Sequence, residues 1–159
     1  MFKKLFNWLF RNREPQRTSW LHQEFMEAYE QGKRDFSSCT LEGVDLSGIN
    51  LEGLNFRNSD LRMVVNLRAS LQLRESDLTK ADLSGMNLNG LDLSGVSLSQ
   101  ANLEGSQFSQ ANLQNASFER ANLKGATFSY SNLEGANFYK ANLEGAEMGH
   151  VYLLQANLG

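Results

Sequence analysis

From Phe36 to Leu158, a Leu or Phe recurs at almost every fifth residue. The run Ala101-Asn102-Leu103-Glu104-Gly105 is followed in the same frame by Ser106-Gln107-Phe108-Ser109-Gln110. An α-helix cannot use this pattern, because a step of five rotates about 140° net around its axis and scatters the apolar residues. A flat strand cannot use it either, because an odd step puts successive apolar residues on opposite faces. The period is satisfied when the chain bends about once per repeat, always toward the same interior. Four bends of roughly 90° close a square coil of about twenty residues, and such coils stack into a parallel β-solenoid.

The flanking columns fit that geometry. The central column runs Phe36, Leu41, Leu46, Leu51, Phe56, Leu61, Leu67, Leu73, Leu78 and then in fives to Leu158, interrupted only by Met148. Two residues earlier stand Val44, Ile49, Leu54, Val65, Leu71, Met86 and Leu91, then mostly Ala from Ala101. Residues i and i−2 of an extended segment share a side, so both columns face the core. The Asp or Asn between them faces out, where a short polar side chain bonds local backbone at a bend. Glycines such as Gly105 and Gly135 fall two after the central residue, where a corner suits them. Counting four repeats per coil stacks Phe118 with Phe138, Phe108 with Phe128 and then Met148, and Phe36 with Phe56. All central Phe residues then lie on two opposite walls around a dry interior.

These residues resemble the A(D/N)LXX motif of pentapeptide-repeat proteins over residues 33–159. The resemblance implies an all-β solenoid: a right-handed quadrilateral parallel β-helix of about six coils. It also implies a binding or scaffold protein and not an enzyme. The frame slips once, because Leu61, Leu67 and Leu73 are spaced by six. Two hexapeptides, 59–64 and 65–70, account for the slip. A single two-residue insertion between Arg62 and Gln72 is the other parse.

The chain before the repeats differs in kind. In residues 1–13, Phe2, Leu5, Phe6, Trp8, Leu9 and Phe10 share a broad helical face with Met1, and Lys3, Lys4, Asn7 and Arg11 oppose it. A basic, aromatic-rich amphipathic helix is the pattern of an interfacial membrane segment. It is too short and too charged to span a bilayer, and it lacks the cleavage site of a signal peptide. The expectation is docking to an anionic membrane surface. A partner groove and the chain's own solenoid are the other candidate covers. Residues 14–18 read as a linker. Residues 19–32 read as a capping helix, with Thr18 or Ser19 as N-cap, Gly32 as the stop, and Leu21, Phe25, Ala28 and Tyr29 on one face. Such a helix covers the otherwise open first coil.

No comparable cap follows the last repeat. Tyr130, Tyr139, Tyr152 and Leu154 are apolar at outward positions, and His150 belongs one coil beyond Tyr130 on the same wall. This end is therefore expected to make a self-contact, a two-fold dimer through the C-terminal coil, or to meet a protein partner. Some members of the resembling family dimerise through C-terminal coils.

Composition narrows the chemistry. A net charge of −3 gives no general attraction to nucleic acid. The lone Cys39 leaves no intramolecular disulfide, fits a reducing compartment, and occupies an inward position. The two histidines, His22 and His150, sit at opposite ends of the rod, so no Cys/His set has zinc spacing. No cofactor, metal or catalytic site is expected. The Asn115-Ala116-Ser117 sequon is a product of the repeat. Arg57, Arg62, Arg68 and Arg74 each follow a central residue and form a belt around one coil. That belt is a candidate electrostatic contact, although it points in four directions. Glu42 and Glu52 lie one coil from Arg62 and Arg74 as expected partners, and Glu104, Lys124 and Glu144 form a similar ladder.

Two functional classes follow. One is a scaffold or adaptor held at the cytoplasmic face of a membrane, or at a large complex, by residues 1–13. The other comes from the resemblance, since some pentapeptide-repeat proteins mimic DNA and protect gyrase. Here Asp45, Asp60, Asp77, Asp82 and Asp92 scatter over several walls and form no single stripe, which favours the scaffold.

Overall fold

Each five-residue repeat forms a short extended wall and a tight corner, and the repeat 131–135 shows how its backbone is satisfied. Ser131 N–H donates across the corner to Phe128 O at 2.9 Å. Asn132 N–H donates back one coil to Ala111 O (3.0 Å), while Leu133 and Gly135 donate forward to Tyr152 O and Leu154 O (2.8 Å each). The remaining N–H, that of Glu134, donates to Asn132 Oδ1 at 3.1 Å. All five amides are thereby paired locally or with an adjacent coil, which lets a chain without long strands bury its backbone. The outward Asp/Asn column takes its expected part from Asp35 to Asn157.

The structure is a computed structural model that describes residues 18–65 and 73–159. Its parallel bridges fall into four columns. Wall one runs through Asp35, Asn55, Asp77, Ser97, Ser117, Asn137 and Asn157. Wall two runs from Thr40 through Asp60 and Asp82 to Asn142. Wall three holds Asp45, Val65, Asn87, Gln107, Thr127 and Glu147, and wall four Asp92, Asn112, Asn132 and Tyr152. Side-chain amides reinforce the ladders: Asn122 Nδ2 donates to Asn102 Oδ1 at 3.1 Å. The interior holds the expected columns. Phe118 stacks on Phe138 (4.8 Å between centroids) and Phe108 on Phe128 (5.0 Å). The two stacks, from opposite walls, also meet edge to face at 5.8–6.0 Å. Cys39 is buried, and its thiol donates to Phe36 O at 2.8 Å.

Nearly all the described corners hold positive φ. Gly105 has φ +67° with open space where a Cβ would stand, whereas a Cβ on Gly135 (φ +67°) would collide with Asn115 Oδ1. Left-handed backbone costs an L-residue about 1–2 kcal/mol. Gly105→Ala is therefore expected to lower stability by about 1 kcal/mol in urea unfolding. Gly135→Ala should cost more than that, because the Asn115 side chain must also move. Equal losses would mean that backbone strain alone governs these corners. Non-glycine residues nevertheless hold positive φ at many corners, Tyr130 (+61°) and His150 (+55°) among them.

The N-terminal end is closed by strand β1 (Thr18–Ser19) and helix α1 (His22–Glu30), with β1 pairing in parallel on β2 (Cys39–Thr40). Thr18 and Ser19 are thus not helix caps. They extend wall two by one rung, with Thr18 N–H on Ser38 O (3.2 Å) and Trp20 N–H on Thr40 O (2.9 Å). The open edge of the first coil recruits them, so the helix starts later than the 19–32 reading. The helix closes at Gly32, whose N–H bonds Tyr29 O while Lys33 N–H bonds Ala28 O, both at 2.9 Å, a Schellman closure. Leu21, expected inside, is exposed, and Trp20 instead lies edge-on to Phe36 at 5.7 Å. Phe25 is fully buried, 4.5 Å from Phe36. Tyr29 Oη donates to Asn50 O (3.0 Å) and His22 Nδ1 accepts from Asp45 N–H (3.2 Å), pinning the helix across the coil.

The frame slip is also located. Val64 N–H closes the corner on Leu61 O (3.2 Å) and the side chain packs on the core, while Val65 bridges Asp45 and is exposed. The inward position therefore belongs to Val64 and not, as the hexapeptide parse had it, to Val65. Regular register resumes at Leu73, whose N–H meets Asp92 O at 3.2 Å. Both extra residues therefore fall between Val65 and Leu73.

Candidate functional site

Near the C-terminal end, the outer face of wall four changes character. Asn112, Gln114, Asn132 and Glu134 give way, one coil on, to Tyr152 and Leu154, which are 70 % and 67 % exposed. The corner preceding this wall carries Gln110, Tyr130 and His150, all at positive φ. The repeat thus projects three vertically stacked side chains where glycine serves at other corners. The Tyr130 ring lies 5.0 Å from His150 and nearly parallel to it (13°). Tyr130, Tyr152 and Leu154 wall an open groove of about 460 Å³, lined also by Gln110, Ala111, Gln114 and Glu134. Between Tyr130 and Asn132 in the chain, the buried Ser131 hydroxyl has no hydrogen-bond partner among the described residues.

The apolar residues of the last coil are only partly covered among the described residues. Leu143, Met148, Val151 and Leu153 pack on the interior but stay partly exposed, and Leu158 is exposed. The amides of Leu143, Gly145, Met148, His150 and Leu153 meet no acceptor among the described residues.

Of the residues expected at this end, Tyr130, His150, Tyr152 and Leu154 come together. Tyr139 does not: it follows Phe138 on wall one, beside Lys140 Nζ at 4.9 Å. The expected belt is tied up by aspartates. Arg57 meets Asp77 (3.2 Å), Arg62 meets Asp60 (2.7 Å) and Asp82 (3.5 Å), and Arg74 meets Asp92 (3.7 Å). Glu42 and Glu52 are therefore not the partners. The short Asp beside each arginine, or one coil on, is nearer than a glutamate one coil back. Asp60 raises the basicity of Arg62 further. Burial pushes the Asp77 carboxyl up, but hydrogen bonds from Thr79 and the Arg57 charge outweigh it and hold the group below its ordinary range. Lys124 pairs with Glu144 at 3.0 Å, while Glu104 takes Asn122. Residues 1–17 and Arg68 lie outside the described residues. Among those described there is no metal-holding cluster and no helix long and apolar enough to cross a membrane.

The groove's polar border was missed in the sequence, although a count of twenty was enough to find it: Asn132 and Asn112 lie successively below Tyr152, and Glu134 and Gln114 below Leu154.

A profile of pentapeptide repeats matches eight copies in the chain, over residues 35–64, 72–105 and 101–138. Among solved structures, the pentapeptide repeat protein Rfr23 of the cyanobacterium Cyanothece 51142 is 24 % identical, with a TM-score of 0.54 over 84 % of this chain and 97 % of that one. HetL, a pentapeptide repeat protein involved in heterocyst differentiation regulation in Nostoc sp. strain PCC 7120, is 25 % identical over 85 % and 93 % of the two chains, with a TM-score of 0.30. A pentapeptide repeat protein of the Arabidopsis thaliana thylakoid lumen is 32 % identical over 69 % and 68 %, with a TM-score of 0.35. Among curated proteins no match to the chain is found.

Proposed function

This chain belongs to the pentapeptide-repeat family, and we propose that it serves there as a non-enzymatic protein-interaction scaffold whose docking surface is the C-terminal groove. The observation that carries this reading is the cluster of exposed Tyr130, Tyr152 and Leu154 on the outer face of wall four and its corner. Aromatic side chains on a fixed backbone give contact area at small entropic cost. The occupant we favour is a second copy, arranged two-fold so that the exposed Tyr130, Tyr152 and Leu154 of each cover those of the other. Light scattering of the full chain at tens of micromolar is expected to give the dimer mass, and Tyr152→Ser with Leu154→Ser the monomer mass. A monomeric parent chain overturns the self-contact.

In this reading, residues 1–13 hold the rod at an anionic membrane surface on its cytoplasmic face, or at a large complex. They carry the basic and aromatic residues that interfacial binding uses. Liposome flotation tests the anchor. The full chain should float with anionic vesicles, more so than with neutral ones, and a chain lacking residues 1–13 should not. Flotation of neither chain removes the membrane role.

The alternative is gyrase protection by DNA mimicry. It draws on an acid excess outside residues 1–17, which hold five of the 15 Lys and Arg but one of the 18 Asp and Glu. Against it, Asp60, Asp77, Asp82 and Asp92 are each matched by an arginine. Relief of inhibitor-blocked supercoiling on adding the protein would favour the alternative.

A further inference from the structure

The edge between walls one and two is built unlike the other three. Every corner residue along it is a non-glycine held at positive φ: Ser38, Asn58, Lys80, Gln100, Arg120 and Lys140, between 54° and 60°. The next edge, between walls two and three, uses Gly43, Gly85, Gly105, Gly125 and Gly145 at five of its six equivalent positions, and the sixth, Met63, does not hold a positive φ. The corner therefore accepts glycine, and one edge retains side chains against a backbone cost that its neighbour avoids. Strain kept along one line marks side chains retained for contact.

Three of those six side chains are cations and none is an acid. Coils are spaced by about 4.8 Å, so Lys80, Arg120 and Lys140 stand in single file, about 10 and 5 Å apart. At the N-terminal end of the line an open groove of about 480 Å³ is bordered by Lys80, Arg57, Asn58, Ser38 and Thr79. Arg57 is shared with Asp77 (3.2 Å) and Arg120 with Glu119 (3.7 Å), both in solvated pairs. Lys140 lies against Tyr139. On the adjoining wall stand Asp82 and Glu104. A broad polyanion such as a duplex would meet these acids on both sides. A single extended chain with spaced carboxylates reaches the cations between them.

We propose that this edge is a docking line for an extended acidic segment of a partner protein. The inference is independent of the C-terminal groove and of residues 1–13. Its test uses a labelled oligo-glutamate peptide and an oligothymidylate of matched charge, titrated by fluorescence anisotropy into the full chain. The peptide is expected to bind, more weakly as salt is raised. The combined change Lys80→Gln, Arg120→Gln, Lys140→Gln should weaken binding about tenfold or more. Glutamine already occupies this backbone at Gln100 and Gln110, so the variant keeps the fold. Lys80→Gly, Arg120→Gly, Lys140→Gly should lose binding equally while unfolding no earlier than the parent. The proposal is overturned if the parent does not bind the peptide, if either triple variant binds as the parent does, or if the oligothymidylate binds as tightly.

Discussion

Replacing Phe128 by alanine is expected to lower stability by about 3–5 kcal/mol in urea unfolding, the usual range for a buried aromatic ring. Phe128 is fully buried. Its ring stacks on Phe108 at 5.0 Å and meets Phe118 and Phe138 edge-on at 5.8 and 6.0 Å. Removing it opens a cavity where both stacks interlock, and the paired backbone ladder around it cannot collapse inward to refill the space. Phe128→Leu restores most of the volume but not the edge-to-face geometry, so it should cost about 1–2 kcal/mol. The loss should also be local, because coils interact only with their neighbours. Amide exchange should accelerate in the C-terminal coils and stay slow near Phe36. A loss below about 1 kcal/mol for the alanine variant would mean that the interior is far more plastic than its stacking implies.

Phe25→Ala should have the second large effect, about 3 kcal/mol or more, together with a change in solution behaviour. Phe25 is the residue of α1 that is wholly buried, and it covers Phe36 at 4.5 Å. Without it the helix is held by the Tyr29 bond to Asn50 and the His22 bond to Asp45, which together cannot replace the ring. Detachment would expose Phe36, Leu41 and the amides of the first rung, a ready edge for pairing between molecules. Light scattering should then report species larger than those of the parent chain. Tyr29→Phe is the matched control: it removes one hydrogen bond, costs about 0.5–1.5 kcal/mol, and should leave the mass unchanged. A Phe25→Ala variant as stable and as small as the parent would show that the cap is dispensable.

The five-residue period was enough to place nearly every inward side chain, because the corner fixes which residues can face the interior. It also stacked His150 on Tyr130 and Phe108 on Phe128 by counting alone. What it could not give was anything set by reach. The arginines chose aspartates over Glu42 and Glu52 because side-chain length decides the pairing, and a column count carries no lengths. Thr18 and Ser19 read equally well as caps or as strand, and the unpaired first rung decided between them. The edge-to-face contact between opposite Phe stacks was hidden because the width of the coil does not appear in the sequence. The edge holding Lys80, Arg120 and Lys140 was legible in principle, at intervals of four repeats, but its meaning depended on knowing that those corners require positive φ.

Register survives the two-residue excess between Val65 and Leu73, since Asn55 still bridges Asp77 and Asp60 still bridges Asp82. Phase is therefore a conserved quantity of this coil, with consequences for how such genes lengthen. Duplication of four repeats would raise the tower by one storey of about 4.8 Å and leave every face as it was. Duplication of one repeat would turn all later faces by a quarter, carrying Tyr152 and Leu154 to a different side. Growth by whole storeys is thus neutral for recognition, growth by single repeats rewrites it, and an excess of two residues is absorbed where it occurs.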